Sequence, residues 1–317
     1  MTGAPVLAAD LGGTKITAAL VLPDHRAVAA RTVPTPADRG APAVLAALLS
    51  VLRSVHDASG RHGPPVGIGV GSAGVVDPSS GRILSATDAI SGFSGTSLGE
   101  QVHRAFGIPV HVLNDVHAHA LGEAVAGAGR SKSSMLFVAV GTGIGGAFVL
   151  DGHVLTGAHH IAGHVGHLTV PGAEGIRCPC GRSGHLEGLA SGPGTLAALH
   201  RAGGHAADGR ALVALAAEGD HRARTVLTTC AFAIGRVIGG LLNALDPEVV
   251  VIGGGMAGAG QLWWEAVRGG VRHDAMDAVV ATPLVPATAG SDAALIGAAQ
   301  ALRTALGTPS RGRAPCR

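Results

Sequence analysis

The chain has 317 residues, of which 51 are glycine, roughly 16% against a usual share of about 7%. Apolar residues make up 47%, charged residues 14% and aromatics 2%, and the formal charge is +2. These values exclude a collagen-like or disordered chain, since the glycines have no three-residue period and the apolar content can build a core, and they exclude a dedicated nucleic-acid binder, which needs a strongly basic face or stacking aromatics.

In chain order, apolar runs at Val6–Leu11 and Ile16–Leu22 predict two strands around Gly12-Gly13-Thr14-Lys15. Ala41–His56 has helical spacing, Val66–Val70 and Val110–Leu113 read as strands, and Val116–Ala126 reads as a helix. Met135–Val140 and Ile144–Leu150 form a second strand pair around Gly141-Thr142-Gly143. Gly157–Gly184 shows neither strand nor helix, and long irregular segments inside compact domains are often functional. A helix at Arg222–Leu245, a strand at Val249–Ile252 and a helix at Asp292–Leu306 follow. The tail Gly307–Arg317 is expected to be disordered. Strands mixed with helices predict an α/β protein, and the length suits two lobes.

The most apolar window, Met135–Leu150, is too short and too rich in glycine to span a bilayer, and Met1–Asp10 lacks a basic n-region. Cys178, Cys180, Cys230 and Cys316 do not form the framework of a small secreted domain, so the cytoplasm is the expected compartment and no membrane contact is expected.

Residues 8–22 and 136–150 echo one another as strand, glycine turn, strand. Backbone N–H groups at such hairpin tips point outward together and form an anion nest, so two of them suit a polyphosphate. The pattern G-x-G-x-x-G occurs at Gly69-Gly71-Gly74, Gly141-Gly143-Gly146 and Gly253-Gly255-Gly258, but at this glycine content chance supplies about one match. A dinucleotide fold requires the motif to enter a helix; Gly141–Gly146 enters a strand and Gly69–Gly74 enters a turn at Val75–Pro78. Gly13-Thr14-Lys15 has the wrong order for a Walker P-loop.

Asn114-Asp115 lies between a strand and a helix, which fits either a helix N-cap or a carboxylate at a strand end that accepts a substrate proton. His167, Cys178, Cys180 and His185 offer two nitrogen and two sulfur donors, a set that suits tetrahedral zinc. His117 and His119 read as solvated or packed residues.

Taken together, these residues resemble the ROK family of sugar kinases and repressors, within the actin-like/hexokinase ATPase superfamily. The resemblance is carried by Ala9–Lys15, by Asn114-Asp115 with Leu121-Gly122-Glu123, by Gly141–Gly146, by Ala162–His167, by Cys178–Glu187 and by Gly253-Gly254-Gly255. It implies two actin-like, ribonuclease H-like lobes with a cleft between them. Residues 1–115 would form the first lobe and 116–291 the second, with the helix at 292–306 returning to the first.

The implied activity is ATP-dependent phosphorylation of a hexose C6 hydroxyl. Catalytic Mg²⁺, structural Zn²⁺ and a homo-oligomer, dimer or tetramer, come with it. Asp115 matches the general base. Asp10, Gly12, Gly13, Thr14, Lys15, Gly141, Thr142, Gly143, Gly254 and Gly255 match the ATP and phosphate positions. Gly74, Asn114, Asp115, His164, His167 and Glu187 match the sugar positions, and His167, Cys178, Cys180 and His185 the zinc ligands.

Three departures bear on substrate choice. His185 stands where most members have a third cysteine. His164 stands where glucose and N-acetylglucosamine kinases have Glu, as it does in bacterial N-acetylmannosamine kinases. The loop Ser85–Phe93 lacks a common Asn, with Asp88 nearby. A neutral His donates one hydrogen bond and accepts another, which suits an acetamido group, so N-acetyl-D-mannosamine is the expected substrate, with glucose or N-acetylglucosamine as the alternative. ROK repressors carry a winged-helix segment ahead of the first phosphate motif, which here begins near Val6, so a kinase rather than a regulator is expected.

Overall fold

A computed structural model describes residues 3–87 and 90–307. Asp88, Cys316 and the expected tail beyond Gly307 lie outside the described residues. The strands are β1 Val6–Leu11, β2 Lys15–Val21, β3 Ala27–Pro34, β4 Ile68–Ser72, β5 Val75–Asp77, β6 Arg82–Ser85, β7 Val110–Asn114, β8 Ser134–Val140, β9 Ile144–Leu150, β10 His153–Val154, β11 Val249–Gly253 and β12 Leu284–Pro286. The helices are α1 Gly40–Asp57, α2 Leu98–Phe106, α3 Asp115–Ala126, α4 Leu186–Ala190, α5 Gly192–Arg201, α6 Gly209–Glu218, α7 His221–Leu245, α8 Gln261–Asp274 and α9 Ala293–Gly307.

The chain divides into two units, residues 1–130 with 158–160 and 289–317, and residues 131–157 with 161–288. The first unit is built on a sheet in the order β3-β2-β1-β4-β7. β1, β2 and β3 run antiparallel, and β4 and β7 continue parallel to β1. Every residue of β1 except Asp10 is buried, because the strand is covered on both faces. Leu7, Ala9 and Leu11 pack towards Val44, Leu48 and Leu52 of α1, while Val6 and Ala8 pack with Leu295, Ala299 and Leu302 of α9. The apolar positions of α1 at Val44, Leu48, Val51, Leu52 and Val55 make one helical stripe. α3 and α9 pack so closely that a β-carbon at Gly297 would strike the carbonyl of Ala118, and one at Gly122 that of Ala293.

The second unit repeats this plan, with the order β10-β9-β8-β11-β12, three antiparallel strands followed by two parallel ones. Its core joins Leu136, Val138, Val250 and Ile252 of the sheet to Ile234, Ile238, Trp263 and Val267 of α7 and α8. α7 is long and apolar enough to cross a membrane by length and composition alone, but half of its most apolar window is buried. The repeated topology is the ribonuclease H-like α/β plan expected from the sequence, and it sets the two glycine tips at equivalent places in their sheets.

The structure corrects several details. The first crossing between units falls at 130/131 rather than 115/116, because α3 packs on α9 and so belongs with the first unit. Val75–Asp77, expected as a turn, is a strand paired with β6. β3, β6, β10 and β12 and helices α2, α4, α5, α6 and α8 were not anticipated. β3 is mostly exposed or half-buried and so leaves no strong apolar pattern, while α2 is a nine-residue helix that buries only Leu98, Gly99 and Val102. Within Gly157–Gly184 the only regular element among the described residues is a single 3-10 turn, Val165–His167.

Candidate active site

In the first unit, β1 and β2 pair up to Leu11 and Ile16, leaving Gly12-Gly13-Thr14 as the hairpin tip. The tip closes through the Gly12 N–H donating to the Lys15 carbonyl at 3.1 Å, and Thr35 braces it by donating from Oγ1 to the Gly12 carbonyl at 2.7 Å. Gly13, Thr14 and Lys15 are exposed. Asp10 is in register with Gly71 of β4, and a β-carbon at Gly71 would lie 3.7 Å from the Asp115 Cα. The bare glycine thus lets two carboxylates approach one another.

Asp115 opens α3, one residue beyond the end of β7. Asn114 is the N-cap, and its Oδ1 accepts from the N–H groups of Val116 and His117 at 2.9 and 3.2 Å. Its amide donates to the Gly74 carbonyl and to Asp115 Oδ1, both at 2.9 Å, so the hydrogen-bonding capacity of Asn114 is fully used within the chain. The cap reading of Asn114 is borne out, and the same side chain also holds the Asp115 carboxylate through its amide N–H.

Burial, reinforced by the neighbouring charge of Asp10, pushes the Asp115 carboxyl up to about 7. Burial also raises Asp10, opposed by the positive influence of His119 and Lys15. Sequence reasoning gave His119 no part; its place one turn beyond Asp115 on α3 is the signal that it shares that face. His117 is buried, as a packed residue would be.

In the second unit, the β8–β9 tip Gly141-Thr142-Gly143 is clamped twice. The N–H of Gly192, at the start of α5, donates to the Gly141 carbonyl at 2.8 Å, and the N–H of Ile144 donates to Glu187 Oε2 at 2.8 Å. Gly254 has φ +84°, and a β-carbon there would strike the Val140 carbonyl, so only glycine lets this turn lie against the hairpin. Around the tip lies a pocket of about 870 Å³, bounded by Gly192, Gly255, Leu196, Val213 and Met256 and by the start of α6 at Asp208–Arg210. Of these, sequence reasoning found only Gly255. Ser191 and Asp208, which cap α5 and α6 before Gly-Pro and Gly-Arg, were the available signals.

The ligand atoms of His167, Cys178, Cys180 and His185 all lie within 4.8 Å of one another. Cys178 Sγ is 3.5 Å from His167 Nδ1, and Cys180 Sγ is 3.2 Å from His185 Nδ1. Donors around tetrahedral zinc stand roughly 3.3–3.8 Å apart, given bonds of about 2.0–2.3 Å, so the set fits such an ion with small adjustment. A tight turn brings the cysteines together: the Cys178 N–H donates to the Arg182 carbonyl at 2.7 Å, and that of Gly181 to the Cys178 carbonyl at 2.9 Å. Burial pushes the Cys178 thiol up to about 11, so ligation would require the metal to displace its proton. Glu187 connects this cluster to the β8–β9 tip: its Oε1 accepts from Cys178 Sγ at 3.9 Å while its Oε2 holds Ile144. His164 stacks beside His167 with centroids 6.1 Å apart, and burial lowers its pKa, which keeps the ring neutral.

The sequence profile described as "ROK family" matches residues 6–305. The chain is 35% identical over 302 residues to a bifunctional enzyme NanE/NanK of Brucella melitensis, covering 95% of this chain and 54% of that protein, so it spans about half the length of this relative. It is 33% identical over 302 residues to an N-acetylmannosamine kinase of Yersinia pseudotuberculosis, covering 95% of this chain and 99% of the relative. It is 31% identical over 322 residues to a glucokinase of Thermotoga maritima, covering 95% and 98%. Among solved structures, a ROK hexokinase from Thermus thermophilus superposes with TM-score 0.85 at 35% identity, covering 95% of this chain and 99% of that one. A ROK family glucokinase from Streptomyces griseus, in complex with glucose and AMPPNP, superposes with TM-score 0.80 at 27% identity, also covering 95% and 99%.

Proposed function

Since this chain belongs to the ROK family, we propose that it is a sugar kinase that transfers the γ-phosphoryl group of ATP to the C6 hydroxyl of a hexose, with N-acetyl-D-mannosamine as the preferred acceptor. The observation that carries this reading is the Asp10–Asp115 pair, two half-buried carboxylates set beside a glycine hairpin tip. Asp115, with its pKa near 7, takes the proton of the attacking hydroxyl, and Asp10 faces the phosphates. Mg²⁺, when bound, neutralises the phosphate charge, and Asp10 is the side chain that would face it. Backbone N–H groups at Gly12–Gly13 and Gly141–Gly143 orient the phosphates, with Thr14, Lys15 and Thr142 at the same tips and Gly254 and Gly255 at the nucleotide turn.

The proposed sugar contacts are Gly74, Asn114 and Asp115 of the first unit and His164, His167 and Glu187 of the second. A hydroxyl that bonds Asn114 replaces one of its internal hydrogen bonds. The neutral ring of His164 supports the choice of an acetamido sugar, since it can donate to the carbonyl or accept from the N–H of that group. His167, Cys178, Cys180 and His185 are proposed to hold a structural Zn²⁺, which supplies cross-linking to a loop of few large apolar residues.

Two measurements test this reading. Asp115→Asn is expected to lower kcat by about 10³-fold or more while sugar binding stays measurable, and a variant with kcat within tenfold of wild type removes Asp115 as the base. kcat/KM for N-acetyl-D-mannosamine is expected to exceed that for glucose; a tenfold advantage for glucose overturns the substrate assignment and leaves a glucokinase of the same family.

A further inference from the structure

After β10 the chain returns to the first unit for three residues, 158–160. This excursion is closed at its base, where the Ala162 N–H donates to the Thr156 carbonyl at 3.1 Å. At its tip stands His160, with φ +60°. That left-handed conformation favours glycine, and a residue with a side chain keeps it only where its surroundings hold it there.

Asp77, at the end of β5, supplies the hold. His160 Nε2 lies 3.6 Å from Asp77 Oδ1, with the two side chains only 21% and 22% exposed. The carboxylate is itself fixed by its own chain: Oδ1 accepts from the Ser79 N–H at 2.9 Å and the Ser79 hydroxyl at 2.6 Å, and Oδ2 from the Ser80 hydroxyl at 2.8 Å. Burial alone would raise this carboxyl, but the serine bonds and the neighbouring His160 hold it at about 2, so it is charged at neutral pH. The other ring nitrogen of His160, Nδ1, is buried without a hydrogen-bond partner among the described residues. A left-handed backbone and an unpaired buried nitrogen both cost stability, and the Asp77 contact is what opposes them.

From His160 the chain runs directly to a proposed sugar contact. The His164 N–H donates to the Ile161 carbonyl at 3.2 Å. Gly163 lies so close to β9 that a β-carbon there would strike the Gly146 carbonyl. The stretch 161–164 therefore has one end fixed on β9 and the other at His160. Asp77 follows Gly74, another proposed sugar contact, by three residues.

We propose that Asp77 and His160 are a positioning pair for the acceptor sugar, fixing the loop tip four residues ahead of His164 without touching the sugar themselves. This rests on the sugar-kinase reading above and concerns only its acceptor side. A contact that orders a binding loop in advance lowers the ordering cost of binding, so its loss falls on the KM for sugar rather than on kcat or the KM for ATP.

The test uses the full chain. His160→Gly removes the ring and leaves a residue that adopts φ +60° without strain, so an effect on affinity comes from the lost pair. It is expected to raise the KM for the preferred hexose by about fivefold or more, with kcat and the KM for ATP within about twofold of wild type. Asp77→Asn, which keeps an oxygen for the Ser79 bonds, is expected to do the same, and the double variant to go no further than either single one. A sugar KM that neither substitution moves, an equal rise in the KM for ATP, or effects that multiply in the double variant overturns the proposal. If wild type turns over no hexose, the kinase reading fails by itself. Hydrogen exchange at residues 158–164 then decides the pair: Asp77→Asn is expected to speed it by about fivefold or more, and an unchanged rate overturns the pairing.

Discussion

Asp115 holds its proton because it is buried and because Asp10 already places negative charge beside it. Two consequences follow with opposite dependence on pH. A base must be deprotonated to act, so kcat/KM is expected to rise with pH through about 7 and then level off; a profile flat from pH 5.5 to 8.5 contradicts the assignment. For stability, the folded chain keeps this proton in a range where the unfolded chain, with an ordinary carboxyl, has released it. The group's contribution is therefore most favourable below pH 4 or so and is lost as pH rises through about 7. Asp115→Asn removes that cost and can still accept the bonds from Asn114 and the Val116 N–H. It is expected to stabilise the chain at pH 8 by ~2–4 kcal/mol, with the gain shrinking at pH 4; thermal melts at the two pH values check it, and an equal change at both contradicts it.

Helix contact and loop closure carry the next level. Gly297 and Gly122 let α9 and α3 lie backbone to backbone, and the obstruction to any larger residue is carbonyl rather than flexible side chain. Gly297→Val is expected to cost about 3 kcal/mol or more, read from urea unfolding, and a loss below ~0.5 kcal/mol would show that the helices can part freely. In the loop after β10, two thiols and two imidazoles are expected to retain about one zinc per chain, with its removal by chelator lowering Tm by at least ~5 °C. Purified chain without zinc, or a Tm that chelator leaves unmoved, removes the structural metal.

These elements differ in how plainly the sequence announced them. The two hairpin tips were readable because glycine runs between apolar strands have few other uses, and the cysteine-histidine set was readable from spacing. α6 was not, because it is only ten residues long and buries only Leu212 and Ala216. The place of Asp10 beside Asp115 was equally hidden, since it arises from a register with Gly71 that only the sheet defines.

At the scale of the whole molecule, one topology used twice gives each unit a glycine-tipped hairpin at the same place in its sheet. The first unit adds a pair of carboxylates, and the second adds a pocket and a cysteine-histidine cluster joined to its tip through Glu187. The chain is similar along 95% of its length both to a glucokinase and to an N-acetylmannosamine kinase. Product analysis tests the central claim most directly. The purified chain is incubated with ATP, Mg²⁺ and N-acetyl-D-mannosamine or glucose, and the products are identified by ³¹P and ¹³C NMR. The expected result is ADP with the phosphate on the C6 oxygen of the sugar, and more product from N-acetyl-D-mannosamine at subsaturating sugar. Absence of a phosphoester with every hexose and acetamido-hexose tried, or a phosphate on any other hydroxyl, would contradict it.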